Sequence, residues 1–298
     1  MFRKKGINVC SAFDGLSGAQ VALDYLGIPV DKYYSLENDP YAIAITQKNY
    51  PETIQLGDIR KIAISNHQIY VDGIGGDQMP KIDLFVGGFP CQDLSFAGHQ
   101  KGFQEGTRSS LFFEFLRLLD EIKPTYFLVE NTLMKKEYQD IISEKLGVQP
   151  IMINSNLVSG QERKRNYWTN IPEVGQPEDL GIMLSDCLES QTGEMFVDRD
   201  KSYCIDANYF KGGNLKSYFE KRRRQLVFTN NEKTTYRKLK PTECECLQTF
   251  PKGYTEGISN TQRYKALGNA FNVLTIASIL APSRYHFEMA VASYTKSV

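Results

Sequence analysis

Five short apolar runs, each broken off by glycine, asparagine or an acid, constrain this chain more than any other feature. Ile7 to Phe13 ends at Asp14-Gly15-Leu16-Ser17-Gly18, and Lys32 to Leu36 ends at Glu37-Asn38-Asp39-Pro40. Ile54 to Leu56 ends at Gly57-Asp58-Ile59, Ile82 to Val86 at Gly87-Gly88, and Tyr126 to Val129 at Glu130-Asn131. Helical spacing fills the intervals over Ala19–Leu26, Tyr41–Asn49 and Leu111–Ile122, and continues through Tyr138–Leu146 into a strand over Met152–Leu157. Strand and helix in alternation predict an α/β fold with a mostly parallel sheet covered on both faces. Open sheets of this kind bind ligands at the carboxyl ends of their strands, so the polar clusters should meet in one crevice.

The rhythm breaks after Pro172. Residues 173–236 are polar and weakly periodic, and Arg199 to Arg224 carries eight basic side chains against Asp200, Asp206 and Glu220. This predicts a small second lobe between a catalytic domain, 1–172, and a returning segment, 237–298. Thr242 is a plausible N-cap there, and Ala270 to Leu280 reads as a closing apolar helix. Lys plus Arg equals Asp plus Glu over the 298 residues, so a nucleic-acid surface would have to be local. No run of eighteen apolar residues and no secretory h-region behind Met1-Phe2-Arg3-Lys4-Lys5-Gly6 is present, so neither a membrane span nor export is expected. The six cysteines are scattered, which suggests reduced thiols in a cytosol. Cys244-Glu245-Cys246 lacks metal-ligand spacing, so no metal is expected.

The first strand-to-helix junction has glycines but not the GxGxxG spacing of a pyrophosphate loop. Glu37, about twenty residues on, can accept hydrogen bonds from ribose hydroxyls, and Asp58 from an adenine amine. A cofactor with adenine and ribose but no phosphates suits this set, and S-adenosylmethionine is the candidate. At the other end of the crevice Pro90-Cys91 follows a buried strand and opens a loop carrying Gly98, Gly102 and Gly106. Cys91, Glu130, Arg163 and Arg165 would then share a pocket. A thiolate adding to C6 of cytosine makes C5 nucleophilic, and a carboxyl proton at N3 eases that addition. A glycine-bearing loop can close on an extruded base.

Taken in order, these segments resemble the DNA (cytosine-5)-methyltransferases over nearly the whole chain. Phe13-Asp14-Gly15-Leu16-Ser17-Gly18 is similar to that family's S-adenosylmethionine loop, Pro90-Cys91-Gln92 to its catalytic loop, and Glu130-Asn131 to its acid strand. Gln161-Glu162-Arg163-Lys164-Arg165 resembles its Gln-x-Arg-x-Arg signature, Arg237 to Cys244 its segment beside the recognition region, and Gly268-Asn269-Ala270 its last motif. Ser109 to Phe115 is similar to the vertebrate de novo branch and its phage and bacterial relatives. Thr132 stands where that pattern has Val, and a lobe of about sixty residues is short for the bacterial members.

The resemblance implies a Rossmann-like class I methyltransferase fold with a small target-recognition lobe. It implies catalysis by Cys91, Glu130, Arg163 and Arg165 through a covalent adduct with a flipped cytosine. Cofactor contacts would come from Phe13, Asp14, Gly15, Leu16, Ser17, Gly18, Glu37, Asn38, Asp58, Ile59, Gly88, Pro90, Asn269 and Ala270. Gln92, Ser95, Asn208, Asn214, Arg222, Arg223 and Arg224 would touch double-stranded DNA. The implied setting is the cytoplasm of a bacterial cell or phage-infected host, as a monomer or weak oligomer, in restriction-modification. Methylation of tRNA, or a silent DNA-binding homologue, are the alternatives; the intact Cys91, Glu130, Arg163 and Arg165 set argues against the second.

Overall fold

A computed structural model of the chain describes residues 6–90, 110–189, 196–284 and 287. Its centre is a seven-stranded sheet. Strands β1 (Ile7–Ala12), β2 (Val30–Leu36) and β3 (Ile54–Gln55) form one half. The other half holds β7 (Leu84–Gly87), β8 (Tyr126–Thr132), β9 (Ile151–Asn154) and β10 (Lys164–Thr169). The order is β3-β2-β1-β7-β8-β10-β9, and every pairing is parallel except those of β10. Helices α1 (Gly18–Tyr25), α2 (Pro40–Asn49), α3 (Leu111–Ile122) and α4 (Lys136–Leu146) make the crossovers. The predicted α/β frame is therefore present, with β10 as an antiparallel insertion between β8 and β9.

The pleat of β1 splits the core. Val9 faces α1 and the closing helix α8 (Val273–Leu280), where Ala19, Ala22, Leu23, Ile276 and Leu280 are buried. Cys10 and Ala12 face the opposite layer with Phe85, Phe112 and Phe115. Phe85 and Phe115 stack with centroids 4.4 Å apart, and a Cβ on Gly87 would lie 2.6 Å from the Phe115 ring. Full burial of such a ring contributes roughly 1.5–3 kcal/mol.

Four features depart from the sequence reading. Residues 62–78 form a separate antiparallel sheet of β4 (Ile62–Ser65), β5 (Gln68–Val71) and β6 (Ile74–Gln78). Its turns, Asn66-His67 and Asp72-Gly73, hold positive φ at both central residues, as two-residue hairpins of the I′ kind require. The closing helix starts at Val273, because Asn272 caps it by accepting from Thr275 N, not at Ala270. Thr242 lies inside α6 (Pro241–Leu247): Lys240 takes the N-cap position, and Glu243 Oε2 accepts from its N–H at 2.7 Å. Finally, the cysteines are not all reduced thiols, since Cys187 and Cys246 form a disulfide.

Asn260–Ser283 has the length and mean hydropathy, 1.3, of a membrane-crossing segment. The chain divides it, however, into α7 (Asn260–Asn269) and α8, and 67% of its most apolar window is buried inside the protein. In the chain between β10 and α6 come α5 (Leu215–Lys221) and then the antiparallel pair β11 (Leu226–Phe228) and β12 (Tyr236–Lys238). Tyr218, Leu226 and Phe228 form a small core of their own there, with Phe196, Tyr203, Leu215 and Tyr236 packed against it.

Candidate active site

The strand ends do converge. A cavity of about 430 Å³ is lined by Phe13, Asp14 and Gly15 after β1, by Glu37 and Asn38 after β2, and by Asp58 and Ile59 after β3. Gly88 and Pro90 after β7, Glu130 on β8, Arg163 and Arg165 at β10, and Asn269 and Ala270 at the end of α7 also line it. The volume is that of a small-molecule site. Cys91, Gln92 and Ser95 lie outside the described residues.

At the nucleoside end Glu37 is a hub. Its Oε2 accepts from Gly15 N at 2.8 Å, and its Oε1 accepts from Asn38 N and Asp39 N at 2.7 and 2.8 Å. Three accepted bonds leave a carboxylate room for a further donor, so a ribose hydroxyl fits there. Burial holds the Glu37 pKa above the usual glutamate range, against the pull of those backbone donors. Asp58 is already engaged: Arg60 Nη2 donates to Oδ2 at 2.5 Å and Arg60 N to Oδ1 at 3.0 Å. The Arg60 hydrogen bond pulls Asp58 down to about 2, so an adenine amine would meet a carboxylate. Phe13 and Ile59 supply apolar wall, and Phe13 holds a φ of 56° at the turn. A side chain is rarely tolerated there, and strain of this kind gathers at binding sites.

Four of the expected cofactor residues do something else. Leu16 is fully buried, and its carbonyl accepts from Tyr254 OH. Ser17 is buried too, donating to Asp14 Oδ2 at 2.5 Å, and Gly18 sits against Phe271, 3.2 Å from where its Cβ would be. Asp14 touches the cavity, but its carboxyl turns inward: Tyr33 OH donates to Oδ1 at 2.7 Å and Ser17 to Oδ2. Burial raises its pKa, partly offset by these hydroxyls. The side chains of Leu16 and Ser17 and the Asp14 carboxyl therefore build the turn from beneath, and Leu16, Ser17 and Gly18 do not line the cavity.

At the other end Glu130 is 6% exposed. Arg165 Nε lies 3.3 Å from its Oε1, an oxygen that is buried and makes no hydrogen bond within the described residues. The antiparallel sense of β10 explains the meeting: its first residues lie at the edge where the parallel strands finish. Sequence reasoning found the arginines but not this strand. A Cβ on Gly88 would stand 2.9 Å from the Phe271 ring and 3.6 Å from Glu130 Oε2. Any side chain there would press on the Phe271 ring beside Glu130.

Arg163 plays a different part. It is 2% exposed, and its Nη2 donates to Ala270 O at 2.7 Å while Nη1 reaches Ile205 O and Cys204 Sγ at 3.3 and 3.4 Å. The side chain straps the lobe and the segment after α7 to the sheet, and it also lines the cavity. Gly268 serves the same junction: a Cβ would lie 2.2 Å from the Asp206 carbonyl carbon. Gln161 joins in, donating to Leu247 O and Gln248 Oε1.

The basic run is also divided. Lys201 Nζ donates to three backbone carbonyls, those of Asn156, Ser159 and Ile182. Arg199 stacks over Tyr203 with its guanidinium carbon 3.5 Å from the ring centroid, and Arg224 is half-buried 3.7 Å from Asp206. Arg224 thus faces inward, contrary to the expected DNA contact, while Arg222, Arg223, Asn208 and Asn214 are exposed. Lys265 was missed. It lines the cavity and pairs with Asp39 Oδ2 at 2.7 Å; lying one helical turn before Asn269, it was findable from spacing. Among the described residues no group of three or more His, Cys, Asp or Glu could hold a metal ion.

The C-5 cytosine-specific DNA methylase family matches residues 7–138 and 132–282 of the chain. The type II methyltransferase M2.ScrFI of Lactococcus lactis subsp. cremoris is 30% identical over 308 aligned positions, covering 86% of this chain and 80% of that protein. The type II methyltransferase M.DsaV of Dactylococcopsis salina is 25% identical, covering 93% and 85%. Among solved structures the methyltransferase EhMeth of Entamoeba histolytica shares the fold with a TM-score of 0.68 at 17% identity, over 93% of this chain and 98% of that one.

Proposed function

The chain belongs to the C-5 cytosine-specific DNA methylase family, and from that premise we propose that Cys91 attacks the target cytosine while Glu130 and Arg165 hold it. The reaction is transfer of a methyl group from S-adenosylmethionine to C5 of cytosine in DNA. One observation carries the assignment of parts. Glu37 and the Glu130–Arg165 pair open on the same cavity, one suited to a ribose and the other to a polar ring edge.

When bound, S-adenosylmethionine supplies an electrophilic methyl group on its sulfonium. Glu37 would hold the ribose, Asp58 and Asn38 the adenine edge, and Phe13, Gly15, Ile59, Gly88, Pro90, Asn269 and Ala270 the surrounding wall. Cys91 follows Pro90 directly in the chain. Its thiolate forms a bond to C6, and the ring electrons move toward C5 and N3. Glu130 donates a proton at N3 as that charge develops, and Arg165 orients the Glu130 carboxyl through the ion pair. After C5 takes the methyl group, return of the N3 proton to Glu130, loss of the C5 proton to a base and expulsion of the thiolate restore the ring. Presenting the cytosine in this way requires its extrusion from the duplex, at a cost of about a few kcal/mol.

The lobe, residues 173–236, would lie along the DNA, with Arg222 and Arg223 at phosphates and the loop from Asn208 to Asn214 reading bases. Gln92 and Ser95, which follow Cys91 closely, would meet the duplex beside the extruded base. The relatives are bacterial type II enzymes, which supports action in the cytoplasm of a bacterial cell or phage-infected host; the protein would act there as a monomer or weak oligomer. The test is incubation of purified protein with unmethylated plasmid and, separately, tRNA, using labelled cofactor, followed by nucleoside mass spectrometry. Label in 5-methylcytosine from plasmid is expected. Label in tRNA alone would move the substrate to RNA, and none in either would leave a silent homologue.

A further inference from the structure

Helix α5 turns a phenyl ring outward. Phe219 is 51% exposed, yet it is braced from behind. Its ring stacks on Phe228, with centroids 6.3 Å apart and 13° between the planes, and meets the edge of Tyr218 at 5.2 Å. Phe228 and Tyr218 are buried in the lobe's own core. The ring is therefore a fixed surface feature whose orientation costs little further entropy on binding.

Cations flank it. Lys216 precedes Phe219 by one helical turn, Arg222 and Arg223 follow just past the end of the helix, and all three are exposed; Glu220 is the acid among them. Arg222 holds a φ of 47°, a left-handed conformation that favours glycine, so a guanidinium stands where the backbone would suit a bare Cα. Lys233 Nζ lies 5.9 Å from the Phe228 ring on the same small core. An exposed ring bordered by exposed cations is complementary to a polyanion that also carries flat apolar edges.

We propose that Phe219 is a DNA-contacting residue, its ring packing against base or sugar edges of the target duplex while Lys216, Arg222 and Arg223 engage the phosphates on either side. The proposal rests on the reading above that the lobe lies along DNA. It assigns the ring a contribution that salt does not screen, distinct from the phosphate contacts that salt weakens.

The experiment compares wild type, Phe219→Ala, Phe219→Trp and the pair Arg222→Ala with Arg223→Ala on a fluorescent duplex carrying a site mapped by bisulfite sequencing. Binding is measured between about 50 and 200 mM salt. Phe219→Ala is expected to weaken binding roughly 5- to 100-fold, the range of one lost aromatic stacking contact, with the salt slope unchanged. Phe219→Trp should retain affinity, and thermal melting should report both variants folded. The arginine pair should lower the slope by about two units. If the slope falls for the arginine pair while Phe219→Ala binds within about twofold of wild type, the ring assignment is overturned alone. If neither set changes binding, the lobe reading fails with it. Wild-type self-association in sedimentation, abolished by Phe219→Ala without loss of DNA affinity, would reassign the ring to an interface between copies of the chain.

Discussion

Arg165 and Glu130 sit one diagonal step apart on the antiparallel strands β10 and β8, with Nε 3.3 Å from Oε1. Thr132 is the residue directly opposite Arg165, and Tyr167 the one opposite Glu130. The ladder therefore points both charged groups to one face of the sheet. Arg163, two residues before Arg165, shares that face but ends on the carbonyls of Ala270 and Ile205. One signature thus supplies a guanidinium to the site and another to the scaffold.

The two arginines should separate on substitution. Arg163→Ala removes the charged donor to the buried carbonyls of Ala270 and Ile205 and should destabilise the fold by about 1.5–3 kcal/mol, the range for hydrogen bonds to a charged group. Arg165→Ala should melt close to wild type but lose turnover, because Glu130 loses its orienting partner. Denaturant unfolding and single-turnover methyl transfer, measured on both variants, check the division. Equal destabilisation by the two would show that Arg165 is also scaffold.

Cys91→Ser should fold and bind S-adenosylmethionine but transfer no methyl group, because a serine hydroxyl is too weakly acidic to attack at neutral pH. Wild type should form a denaturation-resistant adduct with duplex DNA containing 5-fluorocytosine, since fluorine at C5 cannot leave as a proton. An adduct formed by Cys91→Ser would assign the nucleophile elsewhere.

Glu130→Gln keeps a hydrogen-bonding side chain but removes the transferable proton. General acid catalysis contributes typically about 10²–10⁴-fold, so single-turnover rates should fall within that range. A decrease smaller than about tenfold would remove Glu130 from proton transfer.

What the sequence made legible follows from how each signal arises. The strand-end clusters were visible because a buried strand must give way to polar or glycine residues where it leaves the sheet. Glu37, Asp58, Gly88 and Glu130 could be placed at one cavity on that ground alone. Side-chain direction was not visible. Asp14 sits in the same cluster, but Tyr33 and Ser17 draw its carboxyl inward, and Tyr33 comes from a different strand. Arg163 reads as a catalytic charge and Arg224 as a DNA-binding one; the partners they meet, Ala270 and Ile205 for the first and Asp206 for the second, are fixed only by tertiary packing. The hairpins over residues 62–78 were readable in principle from Asp72-Gly73 and the alternation of Ile62 and Ile64. The pairing of Cys187 with Cys246 was not, because a separation of 59 residues carries no local pattern.

Cofactor binding should depend on pH through Glu37. Burial raises its pKa above the ordinary glutamate value, whereas Arg60 holds Asp58 at about 2. As pH falls, Glu37 is therefore the first of the two to protonate, and a protonated carboxyl loses acceptor capacity toward the ribose hydroxyls. Affinity for S-adenosylmethionine should be full at neutral pH and fall as pH drops through the raised Glu37 value, while Asp58 remains ionised. For stability the sign is opposite. A carboxyl whose folded pKa is raised stabilises the free protein fully below its unfolded pKa, and that contribution is lost as pH rises through the folded value. Cofactor binding and the stability of the free protein should therefore respond to Glu37 in opposite directions over the same interval. Calorimetric titration from about pH 8 to about pH 5, on wild type and Glu37→Gln, checks the first. The variant should bind more weakly at neutral pH and show a flatter profile. A wild-type affinity that stays constant down to the ordinary glutamate range would mean that the Glu37 carboxylate does not hold the ribose.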